Sequence, residues 1–225
     1  MTSPVVRVFR VDLDQPAPVV AGLDALLSPG ERDAPVRIRV ARAATRIVLG
    51  RELDADPGGL RITRTCARCG HATHGRPALA DGTGAGAISF SLSHSGGAGV
   101  VAVTEGAVRL GVDVEEVRPR HDLAALAARV LNDDEHAHWL GLDGDDERLR
   151  AFLCAWTARE AYLKATGVGI ATRLRDVPAR VDGWHHCALE LGADRVGALA
   201  IDRTGVDVTY GELPAFVTSS GGTAR

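Results

Sequence analysis

The chain has 225 residues, of which 45% are hydrophobic and 24% are charged, and its formal net charge is −3. This composition is typical of a globular protein with one large core or two small ones, and it gives no reason to expect general affinity for nucleic acid. No apolar run approaches the roughly 20 residues that span a bilayer, and no basic leader precedes an apolar stretch at the N-terminus, so we expect no membrane span, no signal peptide and a cytoplasmic location.

The charge is unevenly distributed along the chain. Residues 1–110 contain 13 arginines and 10 acidic residues, a net charge of +3, whereas residues 111–225 contain 13 basic and 19 acidic residues, a net charge of −6. A basic half beside an acidic half would suit an anionic ligand and a metal ion, although chance also produces such an asymmetry.

The first third of the chain predicts a strand over Val5–Val11 and a helix over Val36–Leu53 that ends at an Asp-Pro-Gly-Gly turn. Arg39, Arg42 and Arg46 have helical spacing and form a basic stripe, which is either a solvated surface or an anion site. The core face of this helix would comprise Ile38, Ala41, Thr45 and either Val48 or Leu49.

A short strand over residues 60–64 leads into a segment with four candidate zinc ligands, Cys66, Cys69, His71 and His74. A CxxC pair is half of many zinc sites, but no second CxxC or well-spaced histidine pair follows. The segment is therefore either a zinc site or a loop that carries free thiols. A redox role is disfavoured because glycine, histidine and proline follow the cysteines where a helix would be needed.

After a glycine-rich loop, the sequence alternates over Ile88–Ser93 and predicts a strand with its apolar side chains on one face. His94–Gly97 would form a turn, and Gly99–Thr104 would form the returning strand. Ser93 and His94 would lie at the strand end beside this turn, where a phosphate binds readily, although a plain hairpin has the same pattern. The Gly-x-Ser-x-Gly motif of hydrolases is absent.

A third strand is predicted around the sequence Gly-Val-Asp-Val-Glu at residues 111–115. Its alternation places Leu110, Val112 and Val114 on one face and Asp113 and Glu115 on the other. Two carboxylates on one strand face repel each other unless a cation lies between them, and Mg²⁺ prefers such oxygen ligands. The alternative is an exposed strand face in solvent.

The second half of the chain predicts a helix from Asp122 to Leu131, a short helix capped by Asn132, and a long helix from about Asp145 to Gly167. On the long helix, Glu160 falls on the apolar stripe, so its carboxylate must be neutralised or bound to a cation. Lys164, the only lysine of the chain, follows one turn later; an ordinary surface pair is the simple alternative. The apolar stripe comprises Leu149, Phe152, Leu153, Trp156 and Leu163. Short β-like segments follow at Cys187–Leu191, Gly197–Ile201, Val206–Tyr210 and Ala215–Val217.

The sequences of residues 111–115 and 156–164 together resemble the two signature motifs of the 4′-phosphopantetheinyl transferases. Supporting matches are the Ser28-Pro29 pair before the arginine helix, the Gly75-Arg76-Pro77 segment, and Ser-His-Ser-Gly at residues 93–96. The length matches the surfactin-type class. This resemblance implies an α+β fold of two similar halves related by a pseudo-twofold axis. The halves would span residues 1–108, on the coenzyme A nucleotide side, and 109–218, on the metal and catalytic side, with a flexible tail at 219–225.

The resemblance also implies the reaction: a monomeric enzyme would move 4′-phosphopantetheine from coenzyme A to a serine of an acyl or peptidyl carrier protein and release adenosine 3′,5′-bisphosphate. Asp113, Glu115 and Glu160 would ligate Mg²⁺, and Glu160 or a water on the metal would take the proton of the serine. Lys164 would steady the pyrophosphate, a role shared with Ser93 and His94. Arg42 and Arg46 would hold phosphate, and Gly75 and Arg76 would lie against the adenine or ribose. The carrier would serve fatty-acid, polyketide or nonribosomal-peptide synthesis.

The chain departs from the pattern of this family at three positions. Glu31 and Ala34 replace residues that are often lysine, so other cations must hold the 3′-phosphate of coenzyme A. Arg159 replaces the usual lysine, which is a mild change if that residue contacts only phosphate or solvent. Two other functions remain open: a zinc-stabilised binding module and a Mg²⁺-dependent phosphohydrolase that uses the same three carboxylates.

Overall fold

The structure is a computed structural model that describes residues 3–65, 70–71, 75–168 and 172–213. Its strands are β1 (Val5–Asp12), β2 (Ile62–Thr65), β3 (Arg76–Leu79), β4 (Ile88–Ser95), β5 (Ala98–Glu105), β6 (Leu110–Glu116), β7 (His185–Ala188), β8 (Arg195–Ile201) and β9 (Asp207–Gly211). Its α-helices are α1 (Ala17–Asp24), α2 (Pro29–Arg32), α3 (Val36–Leu53), α4 (Leu123–Val130), α5 (Asp133–Leu140) and α6 (Asp145–Thr166).

The strands form a four-stranded sheet in the order β4-β5-β1-β9, a three-stranded sheet in the order β6-β8-β7 and the β2-β3 hairpin. The two larger sheets pack face to face, with α3 on the outer side of the first and α6 on the outer side of the second. This mixed architecture confirms the predicted combination of helices and sheets.

Strand β5 explains why the two sheets pack together, because seven of its eight residues are buried. Its residues alternate between two cores. Val101 and Val103 face the core under α3, whereas Val100 and Ala102 face the core between the sheets, where they meet Val112 of β6. A strand buried on both faces has an almost continuous apolar sequence, as β5 has.

Serine side chains join the edge of the first sheet to the second. The hydroxyl oxygens of Ser91, Ser93 and Ser95 on β4 accept hydrogen bonds from the backbone N–H groups of Val112, Val114 and Glu116, at 3.1, 3.4 and 3.3 Å. Each serine thus satisfies a backbone group of β6 that a neighbouring strand would otherwise bind. This register fixes the position of β6 relative to β4.

Strand β9 returns to the first sheet and pairs in parallel with β1. The last described strand therefore hydrogen-bonds to the first, so the sheet of residues 1–108 includes a segment from the second half of the predicted division. That division and the pseudo-twofold relation of the halves stay predictions.

Most elements lie where the sequence predicts them, and α3 has the predicted bounds. Two boundaries were wrong. His94 belongs to β4, which continues to Ser95 because its serines bond to β6, and the turn lies at Gly96 and Gly97. The segment predicted at Cys187–Leu191 forms a strand at His185–Ala188 instead. Several predictions stay open because they concern parts of the chain outside the described residues. These parts are Cys66, Cys69, His74, the segment Ala215–Val217 and the tail. Within the described ranges, no helix is both long and apolar enough to cross a membrane.

Candidate active site

Two elements, β6 and α6, bring the predicted carboxylates together. Leu110, Val112 and Val114 are buried between the sheets, so Asp113 and Glu115 point to the opposite face, towards α6, as the alternation predicts. The helix approaches β6 closely because Gly111 has no side chain. A Cβ atom at Gly111 would lie only 1.9 Å from the carbonyl oxygen of Ala161.

A network of hydrogen bonds joins Lys164, Asp113 and Ser93. The Lys164 ammonium donates to Asp113 Oδ1 at 2.6 Å and to Ser93 Oγ at 2.8 Å, while the Ser93 hydroxyl donates to the same Asp113 oxygen at 2.7 Å. Asp113 and Ser93 are buried, whereas the Lys164 side chain is 32% exposed. Lys164 therefore lies at the mouth of the network, where a ligand can reach it.

Burial raises the pKa of Asp113, and the neighbouring Glu115 adds to that effect, whereas Lys164 and Ser93 oppose it. Asp113 Oδ2 is buried and has no hydrogen-bond partner within the described part of the chain. Such an orphaned carboxylate oxygen is costly to bury. It marks a position where a cation would be stabilised.

Glu115 lies on the same strand face but has its own partners. Its Oε2 accepts hydrogen bonds from Ser95 Oγ and from Arg120 Nη2, both at 2.8 Å. Arg120 belongs to the segment between β6 and α4, and no spacing in the sequence connects it with Glu115. Sequence reasoning therefore missed a cation that lies directly beside one of the three predicted metal ligands.

Glu160 is half-buried and, within the described residues, forms no hydrogen bond or ion pair. Burial raises the pKa of its carboxyl group first, and the charges of Asp113 and Glu115 raise it further, while Lys164 opposes the rise. The three carboxylates and the lysine are thus close enough to influence one another. A carboxylate with a raised pKa in a cluster of this kind is a candidate for proton transfer or cation binding.

The cluster has the chemistry of a site for a hard divalent cation. It offers carboxylate oxygens from Asp113, Glu115 and Glu160, one of them orphaned, and carboxylate oxygen is the ligand type that Mg²⁺ prefers. Among the described residues, no three histidine, cysteine or acidic side chains already stand in a metal-binding arrangement. The donor set fits Mg²⁺, and the assignment of these ligands stays a prediction.

His94 is close enough to this cluster and to Arg42 of α3 to feel the charges of both. The residue is exposed to solvent. Partial desolvation of its imidazole lowers its pKa, and the positive charges of Lys164 and Arg42 lower that pKa further. His94 therefore interacts with cations from both the carboxylate cluster and the helix α3. A ligand that contacts His94 could reach groups on both sides.

The basic stripe of α3 is not a single surface. Arg46 is buried, and its Nη2 donates to Glu31 Oε2 at 2.8 Å. Arg39 instead pairs with Asp24. Arg42 remains partly exposed, and it lines a pocket of about 750 Å³ together with Arg46 and Glu31. The structure thus favours neither a uniformly solvated stripe nor three equivalent anion ligands.

Arg76 lies elsewhere. Its guanidinium donates to the carbonyl oxygens of Ala165 and Val108, at 3.3 and 3.1 Å, and ties the end of α6 to the β5–β6 connection. It lines a second pocket of about 530 Å³, which does not include Arg42 or Arg46. Gly75 precedes Arg76 with a φ angle of 113°, which a residue with a side chain rarely adopts. Contact of these two residues with an adenine or ribose stays a prediction.

Arg159 does not meet the condition under which its replacement of lysine would be a mild change, because it contacts protein groups. Its side chain is 1% exposed and donates to Glu135 and to the carbonyl oxygens of Leu174 and Ala155. Arg159 therefore fastens α6 to α5 and to the segment after α6, on the side away from the carboxylates. Adjacent residues on a helix point in different directions, which is why Glu160 faces the cluster and Arg159 does not.

Comparison with known proteins identifies the family. Residues 109–209 match the family model described as the 4′-phosphopantetheinyl transferase superfamily. The chain is 32% identical over 180 residues to the 4′-phosphopantetheinyl transferase HetI of Nostoc sp., which covers 76% of this chain and 72% of that protein. It is 32% identical over 157 residues to the 4′-phosphopantetheinyl transferase AcpT of Salmonella typhi, which covers 66% and 73% of the two chains. The chain belongs to the 4′-phosphopantetheinyl transferase superfamily and is an enzyme of that family.

Proposed function

We propose that this enzyme transfers the 4′-phosphopantetheine group of coenzyme A to a serine of an acyl or peptidyl carrier protein, with Mg²⁺ as cofactor. The observation that carries the proposal is the contact of Lys164 with Asp113 and Ser93, beside the carboxylate of Glu160, which has no ion pair in the described part of the chain. This cluster combines an accessible cation, a proton acceptor and cation-binding oxygens. Those are the groups that phosphoryl transfer requires.

The bond changes are those of a displacement at phosphorus. The hydroxyl oxygen of the carrier serine forms a bond to the phosphorus of the phosphopantetheine group. The bond between that phosphorus and the oxygen bridging to the adenosine bisphosphate breaks, and adenosine 3′,5′-bisphosphate leaves with the electron pair. The hydroxyl proton moves to Glu160. No covalent intermediate with the enzyme is needed, so positioning and charge neutralisation dominate the catalysis.

Glu160 suits the role of proton acceptor because its pKa is raised. A general base becomes stronger as its pKa rises from that of an ordinary carboxylate towards the operating pH. Lys164 suits the role of a cation for the pyrophosphate because its ammonium is partly exposed and is held in place by two buried groups. Preorganised charge of this kind stabilises a transition state without reorganisation.

Asp113, Glu115 and Glu160 would hold Mg²⁺, with Asp113 Oδ2 as the oxygen that lacks any other partner among the described residues. When bound, the metal would supply positive charge to the pyrophosphate oxygens. Ser93 has a supporting role in this account. Its hydroxyl fixes one oxygen of Asp113 and leaves the other available.

The partner would be a carrier domain with an acidic helix. An arginine-bearing surface of this chain would attract that helix. We expect the enzyme to act as a monomer and to require neither nucleic acid nor a membrane. The class of carrier, from fatty-acid, polyketide or nonribosomal-peptide synthesis, is not distinguished by this site.

Variants of the acidic residues test the proposal. We expect Glu160→Gln and Asp113→Ala each to abolish transfer to an apo carrier domain, while circular dichroism and thermal melting show a folded protein. The matched control is Glu147→Gln, an exposed residue on the same helix, which should retain full activity. Full activity of either site variant would contradict the assignment. Release of adenosine bisphosphate without any carrier would indicate the phosphohydrolase alternative instead.

A further inference from the structure

The two carboxylates of β6 are held in the same way, two residues apart on the strand. Each accepts one hydrogen bond from a serine hydroxyl of β4 and one from a cationic side chain, at 2.6 to 2.8 Å. The first unit comprises Ser93, Asp113 and Lys164, and the second comprises Ser95, Glu115 and Arg120. Lys164 is the cation proposed for the pyrophosphate, whereas Ser95 and Arg120 have no assigned role.

In both units the serine and the cation bind the same carboxylate oxygen. They share Oδ1 of Asp113 in the first unit and Oε2 of Glu115 in the second. The other oxygens, Oδ2 of Asp113 and Oε1 of Glu115, have no hydrogen-bond partner among the described residues. Each unit thus fixes its carboxylate by one oxygen and leaves the second oxygen for a ligand.

Arg120 is the stronger of the two restraints on Glu115. The Ser95 hydroxyl oxygen accepts the backbone N–H of Glu116, so its single proton is available for Glu115. Both of these bonds involve a neutral serine. A hydrogen bond between a guanidinium and a carboxylate has a charge on both sides and is roughly twice as strong as a neutral one.

The segment that carries Arg120 is itself anchored. The Val117 amide donates to the carbonyl oxygen of Asp194 at 2.9 Å, which ties the segment to the β7–β8 connection. Pro119, directly before Arg120, has a φ angle that its ring restricts. The Arg120 and Glu115 side chains are 24% and 20% exposed, so salt screens this ion pair less than a fully exposed one.

The hydrogen bonds of Arg120 differ from those of an arginine that only fastens elements together. Arg159 donates from Nε, Nη1 and Nη2. Within the described part of the chain, the one hydrogen bond of the Arg120 guanidinium goes to Glu115, and its Nε is buried without a partner. Because an unpaired buried donor costs stability, the position of Arg120 serves Glu115 better than it serves its own hydrogen bonding.

We infer that Arg120 is a positioning residue for the reaction: together with Ser95 it holds Oε2 of Glu115, so that Oε1 stays free to bind Mg²⁺. The inference rests on the proposed function, which assigns Glu115 to the metal. Outer partners of this kind orient a ligand carboxylate, and their loss typically lowers metal affinity by about 10- to 100-fold.

A second role of Arg120 would have the opposite sign. Its positive charge by itself opposes a second cation, so removal of the charge would tighten metal binding if Arg120 did not orient Glu115. The direction of the change in metal affinity therefore distinguishes a positioning residue from a simple counter-ion.

The probe is Mn²⁺, whose free-ion electron paramagnetic resonance signal falls as the ion binds. With coenzyme A present, we expect Arg120→Ala to weaken Mn²⁺ binding about 10- to 100-fold. Arg120→Lys should retain more affinity, because its ammonium can still donate to Glu115. Arg118→Ala is the matched control, since Arg118 is exposed in the same segment and forms no ion pair within the described ranges; its Mn²⁺ affinity should equal that of the wild type.

Transfer assays supply a second readout that a purely structural role would not change. Arg120→Ala should need about 10- to 100-fold more Mg²⁺ for half of its maximal rate. Its maximal rate at saturating Mg²⁺ and its KM for the carrier should stay near the wild-type values. Added Mg²⁺ would thus rescue the variant.

Four outcomes would overturn the inference. Tighter Mn²⁺ binding would make Arg120 a counter-ion, and unchanged binding with a higher KM for the carrier would place it at the docking surface. A rate that falls equally at every Mg²⁺ concentration would make its role structural. A wild type without affinity for Mn²⁺ would remove the metal site and the inference with it.

Failure of the proposed transfer reaction is distinguishable from failure of this inference, because the Mn²⁺ titrations contain no carrier protein. If only the transfer proposal failed, Mn²⁺ affinity would still depend on Arg120 while no carrier gained mass. If only the inference failed, the carrier would be modified and the Arg120→Ala variant would bind Mn²⁺ like the wild type.

Discussion

The close approach of α6 to β6 makes Gly111→Ala a demanding test of the site geometry. The new Cβ atom would lie 1.9 Å from the carbonyl oxygen of Ala161 and 2.5 Å from the amide nitrogen of Ala165, both backbone atoms that no rotamer change can move. Since ordinary contact begins near 3.4 Å, the helix must recede by about 1.5 Å. The Lys164–Asp113 distance of 2.6 Å would then open to roughly 4 Å, too long for a hydrogen bond.

We expect this variant to lose transfer activity by about 100-fold or more, because a misplacement of about 1 Å costs that much in a positioned active site. Its unfolding free energy should fall by about 1–3 kcal/mol, the usual cost of overpacking a core. Transfer is followed by the mass of the carrier product, and stability by urea unfolding.

Gly22→Ala is the control for the glycine substitution itself. This residue lies on α1, and a Cβ atom there would meet nothing within 4 Å. The control should keep full activity and gain about 0.4–1 kcal/mol from the more restricted unfolded chain. If Gly111→Ala transferred within twofold of the wild type at unchanged stability, the packing of α6 against β6 described above would be refuted.

Three further predictions concern other residues of the chain. Arg159→Lys should lower the unfolding free energy by roughly 1–3 kcal/mol, because lysine cannot replace the forked hydrogen bonds that reach Glu135 and two carbonyl groups. The KM for coenzyme A should not change. An unchanged urea midpoint would contradict the predicted loss of stability. Burial and nearby positive charges lower the pKa of His186, whose Nε2 accepts a hydrogen bond from the Val181 amide. The folded state then binds fewer protons than the unfolded state, so stability should decline as the pH falls through about 6.5, and urea titrations of His186→Gln should show a flatter pH profile. Cys66→Ser should transfer at the wild-type rate in the carrier assay, and loss of activity would show that the cysteine segment takes part in the reaction.

The elements of the fold could be predicted largely because local patterns determine them. Helix α3 has a strong helical period and stops at an Asp-Pro-Gly-Gly turn, so both of its ends were correct. Strand β4 was predicted too short by two residues. Its last serine belongs to the strand because it bonds to Glu116 on β6, and that partner is not visible in the local sequence.

The carboxylate cluster was also predictable in part, because the two-residue period of β6 and the helical period of α6 each place a carboxylate on a defined face. Their meeting depends on tertiary packing, and the resemblance to a known family supplied that link. The pairing of Glu115 with Arg120 could not be foreseen, since the arginine lies in an irregular segment with no period.

The arginines show where sequence reasoning fails for a physical reason. A guanidinium can reach solvent, a carboxylate or a carbonyl group from the same position on a helix, so spacing alone does not choose among them. Arg46 was expected to face phosphate or solvent, and the sequence left the surroundings of Arg159 open; both are buried with acidic partners. Their partners, Glu31 and Glu135, are 15 and 24 residues away along the chain.

The most direct test of the account is intact-mass spectrometry of an apo carrier domain incubated with this enzyme, coenzyme A and Mg²⁺, with a parallel sample that contains EDTA. We predict that the carrier gains the mass of one phosphopantetheine group, and that EDTA abolishes the gain. Consumption of coenzyme A without a mass gain on any of several carrier types would contradict phosphopantetheinyl transfer by this chain, and a full gain in EDTA would contradict the role of the three carboxylates as metal ligands.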